Sequence, residues 1–491
     1  MTTRFDHWIS GASVAPNSGR YVPSYDPVTA TPWSEIARGD EQDVDAAVAS
    51  AKRALAEWRK TPPSVRAEYL WRLSELIAES AEELAQRETK DIGKVIREMR
   101  GQMTGLPRWW RYAASLCHHL QGEAIPLDRA SVLNYTVREP YGVVGVMTPF
   151  NSPVLLTTFS IGPALAAGNT VVVKPSEHAS SAVLKFAELF TEAGFPDGVM
   201  NVVTGVGDEV GGPLVAHPDV AKIVFTGGLD TAKLVAAGAA RRVKPTVLEL
   251  GGKSANIVFP DADVESAVNG IIAGVFAAAG QTCVAGSRVL VHRDAAGDVA
   301  DALVARARTI VQGDPQVDST EIGPMAVERI RDQVDVRVKE AVGAGATVRV
   351  GGHTEPPDGM NGWFYAPTVI EGVTNDQPVA QQELFGPVVA MITFDDEGEA
   401  VSMANDTPYG LAAGIWTKDL GRAHRMASGV NAGTVWVNTY RSLSFASPFG
   451  GRGQSGHGKE LGIDGLREFT NTKSVWVETS DEQIGDPFVL R

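Results

Sequence analysis

Cys283 is one of only two cysteines in the chain, and small and polar residues surround it. The stretch from Phe276 to Arg288 reads FAAAGQTCVAGSR. Gly280 ends an apolar helical pattern that runs from Asp263 to Ala279, with Val264, Ala267, Val268, Ile271, Val275 and Ala279 on one face. Gln281, Thr282 and Cys283 then fall on a turn that leads into a strand-like run, so a substrate could reach the sulfur. The plain alternative for any lone cysteine is a small buried hydrophobe. That is the reading for Cys117, which lies in a helical pattern with Tyr112, Leu116 and Leu120. For Cys283, context alone leaves both readings open.

A nucleophilic thiol needs a base, a donor for the developing oxyanion and a destination for the electrons. Glu249, in the run VLELGG of residues 247–252, is a candidate base. A carboxylate inside an apolar strand end is poorly solvated, which raises its pKa toward a useful value; the alternative is a solvated glutamate at a strand end. Asn151, in TPFNSP of residues 148–153, is a candidate oxyanion donor or, equally, a turn former between prolines.

A second chemistry gathers at other strand ends. Lys174 could meet ribose or phosphate oxygens of a dinucleotide. Glu177 could accept from ribose hydroxyls and would repel a 2′-phosphate, favouring NAD over NADP. Phe225, Thr226, Gly227 and Gly228 precede a helical pattern, so their backbone N–H groups could face a pyrophosphate. The stretch from Gly205 to Gly211 nearly spells the dinucleotide fingerprint but carries one residue too many before its third glycine. Any one of these glycine clusters could be an ordinary turn; their succession along one set of strands is the signal.

The elements that must position these residues follow from periodicity. Residues 41–60 and 64–100 read as helices, with Asp40 and Ser64 as N-caps. From about residue 142, strand-like runs at 143–150, 170–174, 200–204, 222–226 and 247–250 alternate with helical stretches at 153–167, 179–192, 207–216 and 230–240. Such alternation implies parallel strands with crossover helices, and ligands at the carboxyl ends of the strands. A less regular α/β rhythm follows to about residue 450, with strands at 289–291, 347–350, 388–394, 413–416 and 434–437 and helices at 296–312, 326–342 and 420–428. Strand-like pieces at 132–137 and 473–477 lie outside both lobes. They could pair with each other and offer an edge to another subunit.

Composition narrows the function. A chain of 491 residues with 44% hydrophobic and 21% charged residues is expected to form two or three globular domains. A net charge of -15 argues against nucleic acid or an anionic membrane as partner. Few cysteines, no signal-like N-terminal segment and no spanning apolar run point to the cytoplasm. The nine histidines show no ligand spacing, so no metal site is expected.

The motifs together resemble the NAD(P)-dependent aldehyde dehydrogenase superfamily. They are PFNSP at 149–153, KPSE at 174–177, FTG at 225–227, LELGGKS at 248–254, GQTC at 280–283, ELFGP at 383–387 and SPFGG at 447–451, in the family's order and spacing. The likeness runs from about residue 5 to about residue 480. It implies an α/β fold with a Rossmann-like cofactor lobe from residues 1–122 and 142–250, a catalytic lobe at 251–455, and a small bridging sheet from 123–141 and 470–488. It implies Cys283 as nucleophile, Glu249 as general base, and Asn151 with the Cys283 N–H as oxyanion hole. Lys174 and Glu177 resemble ligands of the adenosine ribose, Glu383 the holder of the nicotinamide ribose, Phe385 its packing neighbour, and Glu460 a proton-relay glutamate. Homodimers or homotetramers are implied. Several positions depart from the commoner pattern: Phe150 and Ser152 flank Asn151, Gly228 stands where serine is frequent, Ala232 replaces a glycine and Gly453 a lysine.

By the same likeness, the substrate tunnel draws on Leu106, Trp109, Trp110, Leu155, Phe159, Thr282, Leu443 and Phe445. That apolar, aromatic set suits an aliphatic, aromatic or terpenoid aldehyde in a catabolic pathway. Trp109 and Trp110 are equally readable as core. Arg111 and Arg441 could bind a substrate carboxylate, although Ala446 stands where muconate semialdehyde relatives carry arginine. The alternatives are a semialdehyde or a hydroxylactone (a cyclic hemiacetal) as substrate. A CoA-acylating dehydrogenase, disfavoured by Glu249, and a non-enzymatic structural protein are the remaining readings.

Overall fold

A computed structural model describes residues 3–488. Two large sheets organise it. The first has eight strands, and its centre is parallel: Thr246–Leu250, Val220–Gly227, Val143–Thr148, Thr170–Pro175 and Met200–Val202 lie side by side in that order. Antiparallel strands close both edges, Gly456–His457 at one and His7–Ile9 with Ala12–Val14 at the other. The second sheet has seven strands, parallel apart from the edge strand Thr347–Val350. This is the expected α/β architecture. The strands Val132–Pro140 and Thr470–Glu478 pair antiparallel along their whole length, from Thr470 opposite Pro140 to Glu478 opposite Val132, and Ala124–Ile125 completes a small sheet. Among the described residues no helix is long and apolar enough to cross a membrane.

Side-chain periodicity explains the layers. The parallel strands Val143–Thr148 and Thr170–Pro175 are buried on both faces, as helices on both sides require. Asp40 caps the helix Glu41–Trp58 by accepting from the Gln42 and Asp43 N–H groups, and Asp43 reciprocates. The run 64–100 is three helices instead of one: Pro63–Glu79, Ala81–Ile92 and Ile96–Leu116. Ser80 leaves helical geometry, and Gly93 takes a left-handed cap with φ of 72°. Ser64 is not a cap, because Pro63 already supplies the first helical residue. The helix before Cys283 ends early, at Val275, and a short 3₁₀ turn, Ala277–Gly280, follows it. The stretch after Gly205 forms a π-helical turn, Gly207–Gly211, and lies outside the main cleft.

The central strand Ala255–Val258 of the second sheet escaped the periodicity reading. It is four residues long and carries a polar Asn256. The structure satisfies that amide inside the core: Asn256 accepts from Trp416 Nε1 at 3.0 Å and donates to the Gly286 carbonyl at 3.1 Å.

Trp110 belongs to the first core, which corrects its placement in a substrate tunnel. It is fully buried, its ring packs against Phe186 and Phe190, and its Nε1 donates to Thr158 Oγ1 at 3.2 Å. Leu106 is fully buried in the same core, and Leu443 is exposed instead. Trp110→Ala is therefore expected to cost about 3–5 kcal/mol of stability, as large core truncations do. A drop in the thermal unfolding midpoint would show it, with KM for aldehyde little changed in the folded fraction.

Candidate active site

Glu249 sits in the strand Thr246–Leu250, directly opposite Thr226 of the neighbouring strand. It alternates with Leu248 and Leu250, so its side chain points to the opposite face from theirs. It is buried, and neither carboxylate oxygen has a hydrogen-bond partner. Burial, with the nearby Glu460 carboxylate, pushes its pKa well above the usual range. Gly450 makes room for it: a Cβ there would stand 2.6 Å from Glu249 Oε1. Gly450, the first glycine after Phe449, is thus a steric requirement of the carboxylate.

Cys283 lies half-buried between the Ala277–Gly280 turn and the strand Arg288–His292. Ala278 and Ala279 both adopt left-handed backbone, with φ of 55° and 52°, and Gly280 continues at 74°. Each alanine there stores about 1–2 kcal/mol of strain. The Gly386 backbone packs so closely that position 280 admits no side chain: a Cβ on Gly280 would overlap the Gly386 carbonyl. Burial and the negative charges of Glu383 and Glu249 push the Cys283 thiol up to about 12, and the Val284 and Cys283 N–H groups temper that rise. At rest the sulfur is a protonated thiol.

Asn151 follows the strand Val143–Thr148 and precedes the helix Pro153–Ala166. Its Nδ2 donates to the Gln281 carbonyl at 3.0 Å, which ties the amide to the loop carrying Cys283. Glu383 lies against Gly251, where a Cβ would overlap its carboxylate, and accepts from the Gly252 N–H at 3.3 Å. Burial lifts Glu383 to about 7. Phe385, itself left-handed with φ of 56°, stands edge-on to Phe150 at 5.7 Å.

These groups face one cleft of about 1170 Å³, lined by Asn151, Thr226, Gly227, Gly228, Glu249, Cys283, Glu383 and Phe385. Gly228 is the N-cap of the helix Leu229–Ala240 and offers no side-chain cap, so the first N–H groups of a 12-residue helix point at the cleft wall. Thr226 Oγ1 is buried without a partner. A Cβ on Gly228 would meet nothing within 4 Å, so serine would fit there but is not needed. An uncapped helix start and an unpaired hydroxyl beside open space fit a diphosphate group.

Other residues fall elsewhere. Lys174 and Glu177 pair at 3.2 Å at the carboxyl end of the adjacent strand, beyond the cleft wall. Burial would raise Glu177, but the Lys174 ammonium outweighs it and holds the carboxyl below its usual range. Phe225 does not face the cleft: it is buried in the core, with its ring against Gly227. Trp109, Phe159 and Phe445 form an aromatic cluster around a separate small cavity, with Trp109 4.7 Å from Phe159 and 5.9 Å from Phe445. Leu155 packs between two cores and Thr282 is buried, and neither lines the cleft. Glu460 is buried behind Glu249, accepts from Ser160 Oγ at 2.7 Å and is raised to about 7 by burial.

Sequence reasoning missed Leu156, Tyr409 and the face of the helix Glu328–Gly343 that presents Arg329, Gln333 and Arg337 to the cleft. The spacing of those three, four residues apart, was the available signal.

A family model described as the aldehyde dehydrogenase family matches residues 14–475. The chain belongs to the aldehyde dehydrogenase family. It is 44% identical over 472 residues to (Z)-2-((N-methylformamido)methylene)-5-hydroxybutyrolactone dehydrogenase of Acinetobacter baylyi, covering 95% of this chain and 96% of that one. It is 40% identical to hydroxyisobutyraldehyde dehydrogenase of Mycolicibacterium austroafricanum, covering 96% and 93%. Among solved structures, PnpE of Pseudomonas sp. WBC-3 in complex with nicotinamide adenine dinucleotide superposes with a TM-score of 0.96 at 41% identity, over 99% of this chain and 100% of that one.

The electrostatics of this aldehyde dehydrogenase site predict thiol reactivity. Glu383 disfavours the Cys283 thiolate, so Glu383→Gln lowers the thiol pKa. Iodoacetamide alkylation of the free enzyme at pH 8 should then quicken several-fold. Well below pH 7, where Glu383 has taken up its proton, the variant and the parent should react alike.

Proposed function

We propose that this chain oxidises an aldehyde to a carboxylic acid with NAD, through a thiohemiacetal and then a thioester on Cys283. The observation that carries this reading is the convergence of a thiol, an unsolvated carboxylate and an amide on one cleft that also receives an uncapped helix start.

Cys283 loses its proton to the ionised form of Glu249, the buried base whose charge, when present, acts on the thiol, and the thiolate adds to the carbonyl carbon. The oxyanion accepts hydrogen bonds from Asn151 Nδ2 and the Cys283 N–H; one such donor is worth about 3–4 kcal/mol in related acyl chemistry. NAD, when bound, supplies the acceptor for the hydride that leaves this carbon. Glu249 gives up the Cys283 proton through Glu460; as carboxylate again it takes a proton from water, the hydroxide adds to the thioester, and Cys283 departs as thiolate. Glu460, close enough to raise Glu249, is the relay that passes the proton on. The helix start at Gly228 and Thr226 would hold the diphosphate, Lys174 and Glu177 the adenosine ribose, and Glu383 with Phe385 the nicotinamide ribose. Glu177 would repel a 2′-phosphate, favouring NAD, with NADP as the alternative.

The first sheet serves as the cofactor lobe and the second as the catalytic lobe. Trp109, Phe159, Phe445 and Leu156 favour an apolar aldehyde. A second reading, a hydroxylactone oxidised as its cyclic hemiacetal, rests on the name of the Acinetobacter relative. Exposed Trp476 and Val477 on Thr470–Glu478 suit a homodimer or homotetramer built on that strand. The cytoplasm suits its free thiols.

An aldehyde panel assayed for NADH with and without CoA tests the reaction; a strict CoA requirement would overturn hydrolysis. Cys283→Ala is expected to abolish turnover and leave NAD binding intact. Glu249→Gln should give one burst of NADH and then stall at the acyl-enzyme. Because burial raises Glu249, its base form grows as pH rises; a deacylation-limited kcat should climb with pH in the parent and lose that slope in Glu249→Gln.

A further inference from the structure

The loops that carry Asn151 and Cys283 come from different sheets, yet catalysis as proposed above needs both at fixed separation. A chain of charged and polar contacts connects them. Lys94 stands at the break between the helices Ala81–Ile92 and Ile96–Leu116, with its side chain almost wholly buried. Its Nζ donates to Ser152 Oγ at 2.8 Å, and that hydroxyl donates to the Asn151 carbonyl at 2.7 Å. On its other side Lys94 lies 3.9 Å from Glu98. Glu98 meets Arg441 at 3.4 Å, and Arg441 donates to the Ala273 carbonyl at 2.7 Å, in the last turn of the helix that leads to Cys283. The Ala278 N–H also faces the Glu98 carboxylate, at the start of the left-handed bend.

Resting on the proposed role of Asn151, we infer that Lys94, Glu98 and Ser152 are positioning residues that hold the oxyanion donor in register with the Cys283 loop. Apolar packing could fill this space, but it would not specify one alignment of the loops. A buried ammonium is tolerated only when paired, so Lys94 admits few arrangements of Ser152 and Glu98 around it. Gln102 Oε1, 3.3 Å from Ser152 Oγ, is a second and longer acceptor for the same hydroxyl, on the helix side. Ser152 is among the positions that depart from the commoner pattern around Asn151. A hydroxyl there can accept from Lys94 and donate onward; an aromatic ring could not. The bend at Ala278–Gly280 has an independent support in Gly386, so the bridge sets its alignment with Asn151 and not its existence.

The test compares Ser152→Ala and Glu98→Gln in the parent and in an Asn151→Ala background, using an aldehyde the parent turns over. Both variants are expected to lower kcat about tenfold, within the ~100-fold that an ångström of misplacement costs. KM, NAD affinity by fluorescence quenching and the melting temperature of Glu98→Gln should stay near the parent's. In the Asn151→Ala background neither substitution should lower kcat further, because the donor they align is gone. An equal loss in both backgrounds, or no loss in the parent, would overturn the inference. Should Ser152→Ala not fold, Glu98→Gln decides alone. Full activity in Asn151→Ala itself would bring down the oxyanion reading beneath it, and that outcome is seen without the other variants.

Discussion

Placing carboxylates and a thiol together where water is scarce is the constraint that orders this molecule. Glu249, Glu383 and Glu460 are all buried or nearly so, and each is held protonated more firmly than a surface glutamate. An ionised carboxylate in such surroundings is costly unless paired, and for Glu249 the Lys459 charge offsets the burial only in part. The site therefore carries less charge than its three carboxylates would in water. Gly251 and Gly450 are the steric expression of this constraint, since any side chain at either would strike a carboxylate. The first glycine after Leu250 and the first after Phe449 are better understood as clearances for glutamates than as flexible turns.

The two sheets reach the cleft with opposite ends. The first delivers residues from the carboxyl ends of its parallel strands: Asn151 after Thr148, Gly228 after Gly227, Gly251 after Leu250. The second delivers loops that enter the amino ends of two paired strands, Cys283 before Arg288–His292 and Glu383 before Val388–Phe394. Those two loops touch each other where Gly280 meets Gly386. The nucleophile and the buried glutamate that modulates it are thus braced against one another by adjacent strands. The contact also fixes glycine at position 280, which takes the left-handed end of the bend without a side-chain penalty while Ala278 and Ala279 carry the strain.

Legibility in the sequence followed the same physics. Parallel strands announce their carboxyl ends, so Asn151, Thr226 and Glu249 could be placed from alternation alone, and all three line the cleft. Cys283 could be placed on a turn, but its left-handed approach could not, because alanine gives no warning of positive φ. Trp110 stays open between tunnel and core, and Phe225 between cofactor and core, because an aromatic residue has the same composition whether it faces ligand or core; both side chains lie in the core. Leu155 and Leu156 differ by one helical step, and about 100° of rotation decides which of them reaches the cleft. Asn256 hid a central strand because its partners, Trp416 and Gly286, are distant in the chain. Local pattern reports the backbone's preference; it is silent on contacts that only the closed fold supplies.

The aromatic cluster bears on substrate size in a way its composition alone does not. Trp109, Phe159 and Phe445 enclose a cavity of about 20 Å³, room for about one water molecule. In this conformation they form a wall and not a chamber. Each ring is held by a neighbour: Trp109 by Phe159 at 4.7 Å and Phe445 by Tyr112 at 5.0 Å. Aromatic contacts of this kind contribute about 0.5–1.5 kcal/mol each beyond burial. Opening this wall to any group breaks those contacts, so only one whose own apolar surface replaces them recovers their energy.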